Sequence, residues 1–414
     1  MKVLLLSHIF PPSIDGGSKV IYKLGQYFES QHHQTLYLSS NCSSTDDFVK
    51  SNYLRSEKLK SDQLKLPVYH HLRRPLKLFQ IICTNFLFIN PNSYFINLIK
   101  IFQKGPIFKF IPFIKATIKI IKFKPDLIIA GPLPTTIVLY ANFFKFLTKK
   151  LNNHSTKLLI NSSFHPTDQD FQQRPLIKSL QFADYLWTLT QSETDYFIKN
   201  FNIDPKKIIL AGNGVDSEFL KKSKNNLRSE KLTSEILFIG SLASHKRVDL
   251  LIKSFSYLRS DKLKSEISLT VAGQKTLFYP QIEKIINSLN PEIKSKINFI
   301  FNFPQKDLTK LIDNCDVLVL PSIQESFGLV IIESWARQKP VICADIPALK
   351  EIVEKSNGGL LFAADNQDDL TQKIEFILAN PKKAEKMGQS GYKYVKNNYT
   401  WKKVGDKICQ KILC

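Results

Sequence analysis

Short apolar runs alternate with stretches of helical spacing along the whole chain. Val3 to Leu6, Thr35 to Leu38, Pro125 to Ala130, Lys157 to Ile160 and Leu186 to Thr190 each read as a strand buried on both faces. Lys19 to Tyr27 has helical spacing, with Val20, Ile21, Leu24, Tyr27 and Phe28 as its apolar positions. Gln191-Ser-Glu-Thr-Asp195 reads as a helix start with its cap. A second series opens at Ile236 to Ile239, followed by a helix carrying Leu250, Leu251, Ile252 and Phe255. It continues through Leu269 to Gly273, Ile297 to Phe301, Asp316 to Leu320 and Pro340 to Ala344. Two strand–helix series in succession predict an α/β architecture of two doubly wound domains, joined near Asn213 to Glu218.

The ends of the predicted strands carry the chemistry. Pro321-Ser-Ile-Gln-Glu-Ser-Phe-Gly-Leu-Val-Ile-Ile-Glu333 follows one strand, and a helix is expected from Leu329 to Gln338, stopped at Lys339-Pro340. Glu325 then falls in the turn and Glu333 on the helix, with seven residues between them. Ser326, Phe327 and Gly328 place free N–H groups at the helix start, where phosphate binds through unpaired donors and the helix dipole. Eight residues of helix span roughly 12 Å, so the two carboxylates bracket a phosphate-sized gap. Alone, the stretch is equally a surface turn with two solvated glutamates; its neighbours decide. Gly240 ends a strand, and Lys246 and Arg247 follow before the next helix, a cradle for diphosphate. Gly16-Gly17 lies between the first strand and first helix, although G-x-G-x-x-G is absent. A plain glycine turn fits that loop as well.

The segment Glu325 to Glu333 resembles the E-x7-E signature of the retaining glycosyltransferases of GT-B fold (GT4-type, glycosyl transferases group 1), and the resemblance covers nearly the whole chain. It implies two facing Rossmann-like domains with an interdomain cleft. Residues 1–215 would form the acceptor-binding domain, 216–395 the nucleotide-sugar-binding domain, and 396–414 a helix crossing back to the first. It implies that Glu325 lies beside the transferred sugar, that Ser326, Phe327, Gly328 and Leu329 hold the diphosphate, and that Glu333 binds the ribose. Gly16 and Gly17 would approach the donor phosphate or the acceptor. His165, just past a strand, matches the position that contacts the donor sugar. Asn213-Gly-Val-Asp216 is similar to the family's segment at the domain crossing. Two positions depart from the family pattern: Ser241 stands where an Arg is usual, with Lys246 retained and Arg247 a candidate to compensate, and Gln338 stands where a glycine is usual.

Charge adds a second theme. The chain carries 58 Lys and Arg against 36 Asp and Glu, a net charge of +22, which favours an anionic partner. From Gln63 to Pro125 there are eleven basic residues and no acid. Lys115, Lys119 and Lys122 share one helical face, suited to anionic headgroups; a buried helix with a solvated lysine face is the alternative. Leu78 to Ile99 is uncharged but too polar for a transmembrane helix. Six scattered cysteines without a C-x2-C pair argue against a disulfide framework or zinc site. Met1 to Leu6 is too short for a signal peptide, so a cytoplasmic location is expected, with peripheral contact at the inner face of a membrane. Asp168-Gln169-Asp170 has the D-x-D form of a metal site but reads as a helix start. Leu54-Arg-Ser-Glu-Lys-Leu-Lys-Ser61 recurs nearly intact at Leu227 to Ser234 and Leu258 to Ser265; nothing in the sequence assigns it a function.

The expected activity is transfer of a hexose-type sugar from a nucleotide-sugar donor to a glycan or lipid-linked acceptor, with retention and without a metal or other cofactor. A role in cell-surface polysaccharide or glycolipid synthesis follows from the acceptor class. Nucleic acid is not an expected partner, because aromatic-basic repeats and zinc pairs are missing. The alternatives are a glycoside hydrolase using Glu325 and Glu333, or an inactive basic protein binding nucleotide or membrane.

Overall fold

Leucine- and isoleucine-rich strands, shielded on both faces by helices, build two all-parallel sheets, one in each of two units. The computed structural model describes residues 1–7, 16–40, 64–66, 111–133, 135, 137–166, 174–221, 233–258 and 266–413. The first unit comprises Met1–Gly212 with Gly405–Cys414, and the second Asn213–Val404. The chain thus changes unit at Gly212, before the expected 215/216 boundary, and returns at Val404, not at 395.

The first unit contains β1 (Lys2–Leu6), α1 (Gly16–Ser30), β2 (Gln34–Ser40), β3 (Leu64–Leu66), α2 (Ile111–Phe123) and β4 (Leu127–Ala130). α3 (Ile137–Asn152), β5 (Lys157–Asn161), α4 (Arg174–Leu180), β6 (Tyr185–Thr188), α5 (Gln191–Phe201) and β7 (Ile208–Leu210) follow. The strand order is β3-β2-β1-β4-β5-β6-β7. β1 pairs with β2 on one side and β4 on the other, Leu4 facing Leu36 and Ile128. Leu4, Leu6, Ile128, Ala130, Leu158 and Ile160 centre the core, closed by Ile120 of α2 and Ile137 and Phe144 of α3. β6 stops at Thr188, short of the expected Thr190. Thr190 is extended (φ −135°) and caps α5, its hydroxyl accepting the Glu193 N–H at 3.2 Å.

The second unit contains β8 (Thr233–Ile239), α6 (Val248–Ser256), β9 (Glu266–Gly273), α7 (Tyr279–Asn287), α8 (Pro291–Ser295), β10 (Ile297–Phe301) and α9 (Leu308–Asn314). β11 (Val317–Leu320), α10 (Leu329–Ala336), β12 (Val341–Ala344), α11 (Pro347–Ser356), β13 (Gly359–Phe362), α12 (Gln367–Ala379) and α13 (Pro381–Asn398) complete it. The order is β10-β9-β8-β11-β12-β13. The order reverses between β8 and β11, and in such sheets the crevice outside the carboxyl ends at that reversal is where ligands bind. Trp335 of α10 is fully buried, its indole N–H donating to Gly358 O at 2.8 Å. A Cβ on Gly391 would lie 2.3 Å from its ring.

α10 ends at Ala336, two residues before the expected Gln338. Arg337 leaves the helix (φ −96°), and Gln338 is left-handed at φ 58°. Arg337 is drawn off by Asp313, which takes both its Nε and Nη2 at 2.6 Å, and by Phe219 O at 3.1 Å. The last helix, α14 (Trp401–Leu413), begins in the second unit and ends in the first. In the second unit Trp401 Nε1 donates to Asp216 Oδ1 at 3.0 Å. In the first, Tyr27 OH donates to Asp406 Oδ1 at 2.8 Å. The loop 8–15, Asp168 to Asp170, all but the ends of the basic region 63–125 and nearly all of the repeated octapeptides lie outside the described residues.

Candidate functional site

In the second unit the loops after β8 and β11 leave neighbouring strand ends and are tied together. The Ile323 N–H donates to His245 O at 2.9 Å. Above that bond Lys246 Nζ is paired with Glu325 Oε1. Both side chains are largely covered, at 18% and 12% exposure, so their attraction is less screened than that of a surface pair. The loop comes close to β9 as well: a Cβ on Gly273 would sit 1.7 Å from Gly240 O, so these two strand ends touch through backbone. Gly240 N–H donates to Ala272 O at 3.0 Å.

The turn after β11 runs Glu325-Ser326-Phe327-Gly328 into α10. Gly328 is left-handed (φ 80°), the conformation that lets the chain turn sharply into the helix. Phe327 is buried edge-on against Tyr399, ring centroids 5.1 Å apart, and so anchors the turn. The N–H groups of the first turn have no intrahelical acceptors and carry the positive end of the helix dipole. Leu329 opens the helix, and Glu333 lies within it, 4% exposed. Cys343, at the end of β12, is fully buried; burial raises its thiol pKa and the Glu325 carboxylate adds to the rise. The sequence reading did not single out Cys343.

Arg247 sits apart from this cluster. It is left-handed (φ 52°, ψ 39°) at the start of α6. Its Nε donates to Asp249 Oδ1 at 3.3 Å and its Nη1 is bound by Asp365, in the loop after β13. The guanidinium is therefore shared between two carboxylates, while Lys246 takes the Glu325 side. Asp249 is two residues along and legible beside Arg247; Asp365 is remote in sequence and was not.

In the first unit the predicted residues lie at the carboxyl edge of the other sheet. Gly16 and Gly17 begin α1, next to the reversal of strand order between β1 and β4. A Cβ on Gly17 would lie 2.5 Å from Pro132 Cγ in the turn after β4, so close packing demands the glycine there. His165 follows β5, in a turn held by a residue that sequence reasoning passed over as part of a cap. Glu193 Oε1 accepts from Phe164 N–H at 2.7 Å and Ser162 Oγ at 2.8 Å, and Oε2 accepts from Leu189 N–H. Burial pushes the Glu193 pKa up to about 7, against the opposing pull of those donors. The signal for this role was weak: Glu193 three residues after Thr190 reads as a capping box, and nothing in the sequence joins it to Phe164.

The comparisons agree with this geometry. Residues 218–394 match the family model described as Glycosyl transferases group 1. The O-antigen chain mannosyltransferase RfbU of Salmonella typhimurium is 28% identical over 250 residues, 56% of this chain and 66% of that protein. An uncharacterized glycosyltransferase of Methanocaldococcus jannaschii, MJ1178, is 27% identical over 244 residues, 55% of this chain and 65% of its own length. The chain thus spans just under two thirds of each of these curated relatives. The crystal structure of Anabaena Alr3699/HepE in complex with UDP and glucose superposes with a TM-score of 0.72 at 15% identity, over 100% of this chain and 99% of that one. The fold is GT-B, and the chain belongs to the glycosyl transferases group 1 family.

Proposed function

We propose that this protein is a glycosyltransferase that moves a hexose-type sugar from a nucleotide-sugar donor to a glycan or lipid-linked acceptor, with retention and without a metal. A role in cell-surface polysaccharide or glycolipid synthesis, at the periphery of an anionic membrane, belongs to the same reading. The observation that carries it is the Lys246–Glu325 pair, held on neighbouring strand ends at the reversal of the second sheet, beside the N-terminus of α10. The relatives' names, an O-antigen chain mannosyltransferase and a structure holding UDP and glucose, support the substrate class.

The chemistry follows from charge. Breaking the bond between the anomeric carbon and the diphosphate leaves negative charge on the departing phosphate oxygen. Lys246 Nζ and the N–H groups at the start of α10 are fixed dipoles and charge for that oxygen. Glu325, already oriented by Lys246, accepts from sugar hydroxyls and steadies the positive charge that develops at the ring. No side chain is assigned as a covalent nucleophile, so the acceptor hydroxyl attacks from the face the diphosphate leaves. Glu333, buried on α10, takes the ribose, and His165 the sugar near the bond that breaks.

A thermal-shift screen against UDP, GDP and ADP and their sugars tests this reading. One base should raise the melting temperature, with the rise reduced in both Lys246→Ala and Glu325→Ala. No shift with any nucleotide, or equal shifts in both variants, would remove it.

A further inference from the structure

The basic surface that the sequence places on α2 continues onto α3. Residues 111–152 contain seven lysines and a single acid, Asp126. That acid is occupied: it accepts from Lys2 N–H at 2.7 Å and pairs with His154 at 3.1 Å. Asn152 Nδ2 donates to Ile121 O at 2.9 Å, fixing the end of α3 beside the last turn of α2.

This layer also exposes apolar side chains. Ile118 is 48% exposed, Phe146 38%, Leu151 58% and Phe182 54%. They are linked by lysines: Lys150 Nζ lies 5.8 Å from the Phe146 ring centroid, and Lys145 Nζ donates to Phe182 O at 2.9 Å. Lys145 is also paired with Asp184 at 2.6 Å, whereas Lys122, Lys149 and Lys150 stand exposed. An apolar ribbon edged by lysines on one helical layer marks a binding surface more than a solvated one.

We infer that the outer face of α2 and α3 is an interfacial docking surface for a bilayer rich in anionic lipid. The four apolar side chains enter the boundary between headgroups and acyl chains, and the lysines reach the phosphates from beside them. No helix among the described residues is long and apolar enough to cross a membrane, so this contact is one of lying on the surface. A second copy of the chain fits poorly, since a two-fold contact would set lysines against lysines. Nucleic acid leaves the apolar side chains without a role. α2 and α3 both end just before a strand begins, so the Leu151 end of the ribbon lies toward the amino ends of β4 and β5. Gly16, Gly17 and His165 are at the carboxyl ends, and a bilayer seated on the ribbon leaves that edge open. This deepens the membrane part of the proposed function without depending on sugar transfer.

Sedimentation of the full chain with vesicles tests it, comparing pure phosphatidylcholine with mixtures rich in phosphatidylglycerol. Partitioning should rise at least about tenfold on the anionic vesicles and fall with added salt. Each exposed lysine contributes about fivefold, so Lys149→Gln with Lys150→Gln should lower binding about twenty-fivefold at unchanged melting temperature. Phe146→Ser with Leu151→Ser should weaken binding to anionic vesicles as well. Equal binding to both lipids, or wild-type binding by the lysine pair, would overturn the inference. So would a dimer in ultracentrifugation that Leu151→Ser dissolves, since the face would then belong to self-association.

Discussion

Glu193 is a fully buried carboxyl with no cation against it, and its pKa, ordinarily 4.5, is pushed up to about 7. No charged side chain among the described residues pairs with it; its partners are two backbone N–H groups and the Ser162 hydroxyl. Ser162 Oγ also lies 2.9 Å from Trp187 O. A protonated Glu193 therefore donates to Ser162, which passes its own proton to Trp187 O, and every donor remains satisfied. An acid raised by folding stabilises the native state below its ordinary value, and that contribution is lost as pH rises through the folded value. A rise of this size corresponds to about 3 kcal/mol, lost between roughly pH 4.5 and pH 8. The perturbation is Glu193→Gln, which cannot titrate. Its amide leaves either the Leu189 or the Phe164 N–H facing another donor, at a cost of about 1–3 kcal/mol. The variant should be the less stable protein at about pH 5.5, with the gap closing by about pH 8 as the wild type loses its advantage. Urea unfolding read by hydrogen exchange over residues 157–166 follows this unit alone. Parallel pH dependences in the two proteins would refute the reasoning.

Gln338 sits exposed at φ 58°, a conformation that costs a side-chain-bearing residue roughly 1–2 kcal/mol. Allowing for glycine's freedom when unfolded, Gln338→Gly should stabilise the second unit by about 0.5–1 kcal/mol, read as a rise in the calorimetric midpoint; a fall would show that the left-handed turn is not strained. Gly391→Ala sets a methyl 2.3 Å from the buried Trp335 ring. Overpacking there should cost about 1–3 kcal/mol, and unchanged urea unfolding would mean the α10–α13 packing is looser than described. Arg247→Ala should have a smaller effect on nucleotide binding than Lys246→Ala, because its guanidinium is held by Asp249 and Asp365; calorimetric titration with the same nucleotide ranks the two.

Much of the fold was legible because fully buried parallel strands announce themselves locally. Val317–Leu320 and Ile297–Phe301 are continuous apolar runs between breakers, and the E-x7-E stretch marks a turn that only a strand before and a helix after can place. Features that depend on pairs remote in sequence were hidden. Lys246 and Glu325 read as separate motifs, and only the adjacency of β8 and β11 makes them an ion pair. Arg247 looked like a phosphate ligand until the loop after β13 brought Asp365 to it. The short end of α10 was hidden for the same reason, since Arg337 leaves the helix to reach Asp313 and Phe219. On α3, Phe146 and Leu151 looked like core positions, and only their exposure moves them to the surface ribbon.

Isothermal titration of the nucleoside diphosphate that stabilises the protein, into wild type, Lys246→Ala and the surface variant Lys296→Ala, tests the central claim most directly. Loss of a partly buried cation from a diphosphate should weaken binding at least about thirtyfold in Lys246→Ala, with Lys296→Ala indistinguishable from wild type. Equal affinity in all three proteins would place the diphosphate somewhere other than the β8–β11 edge and contradict the account.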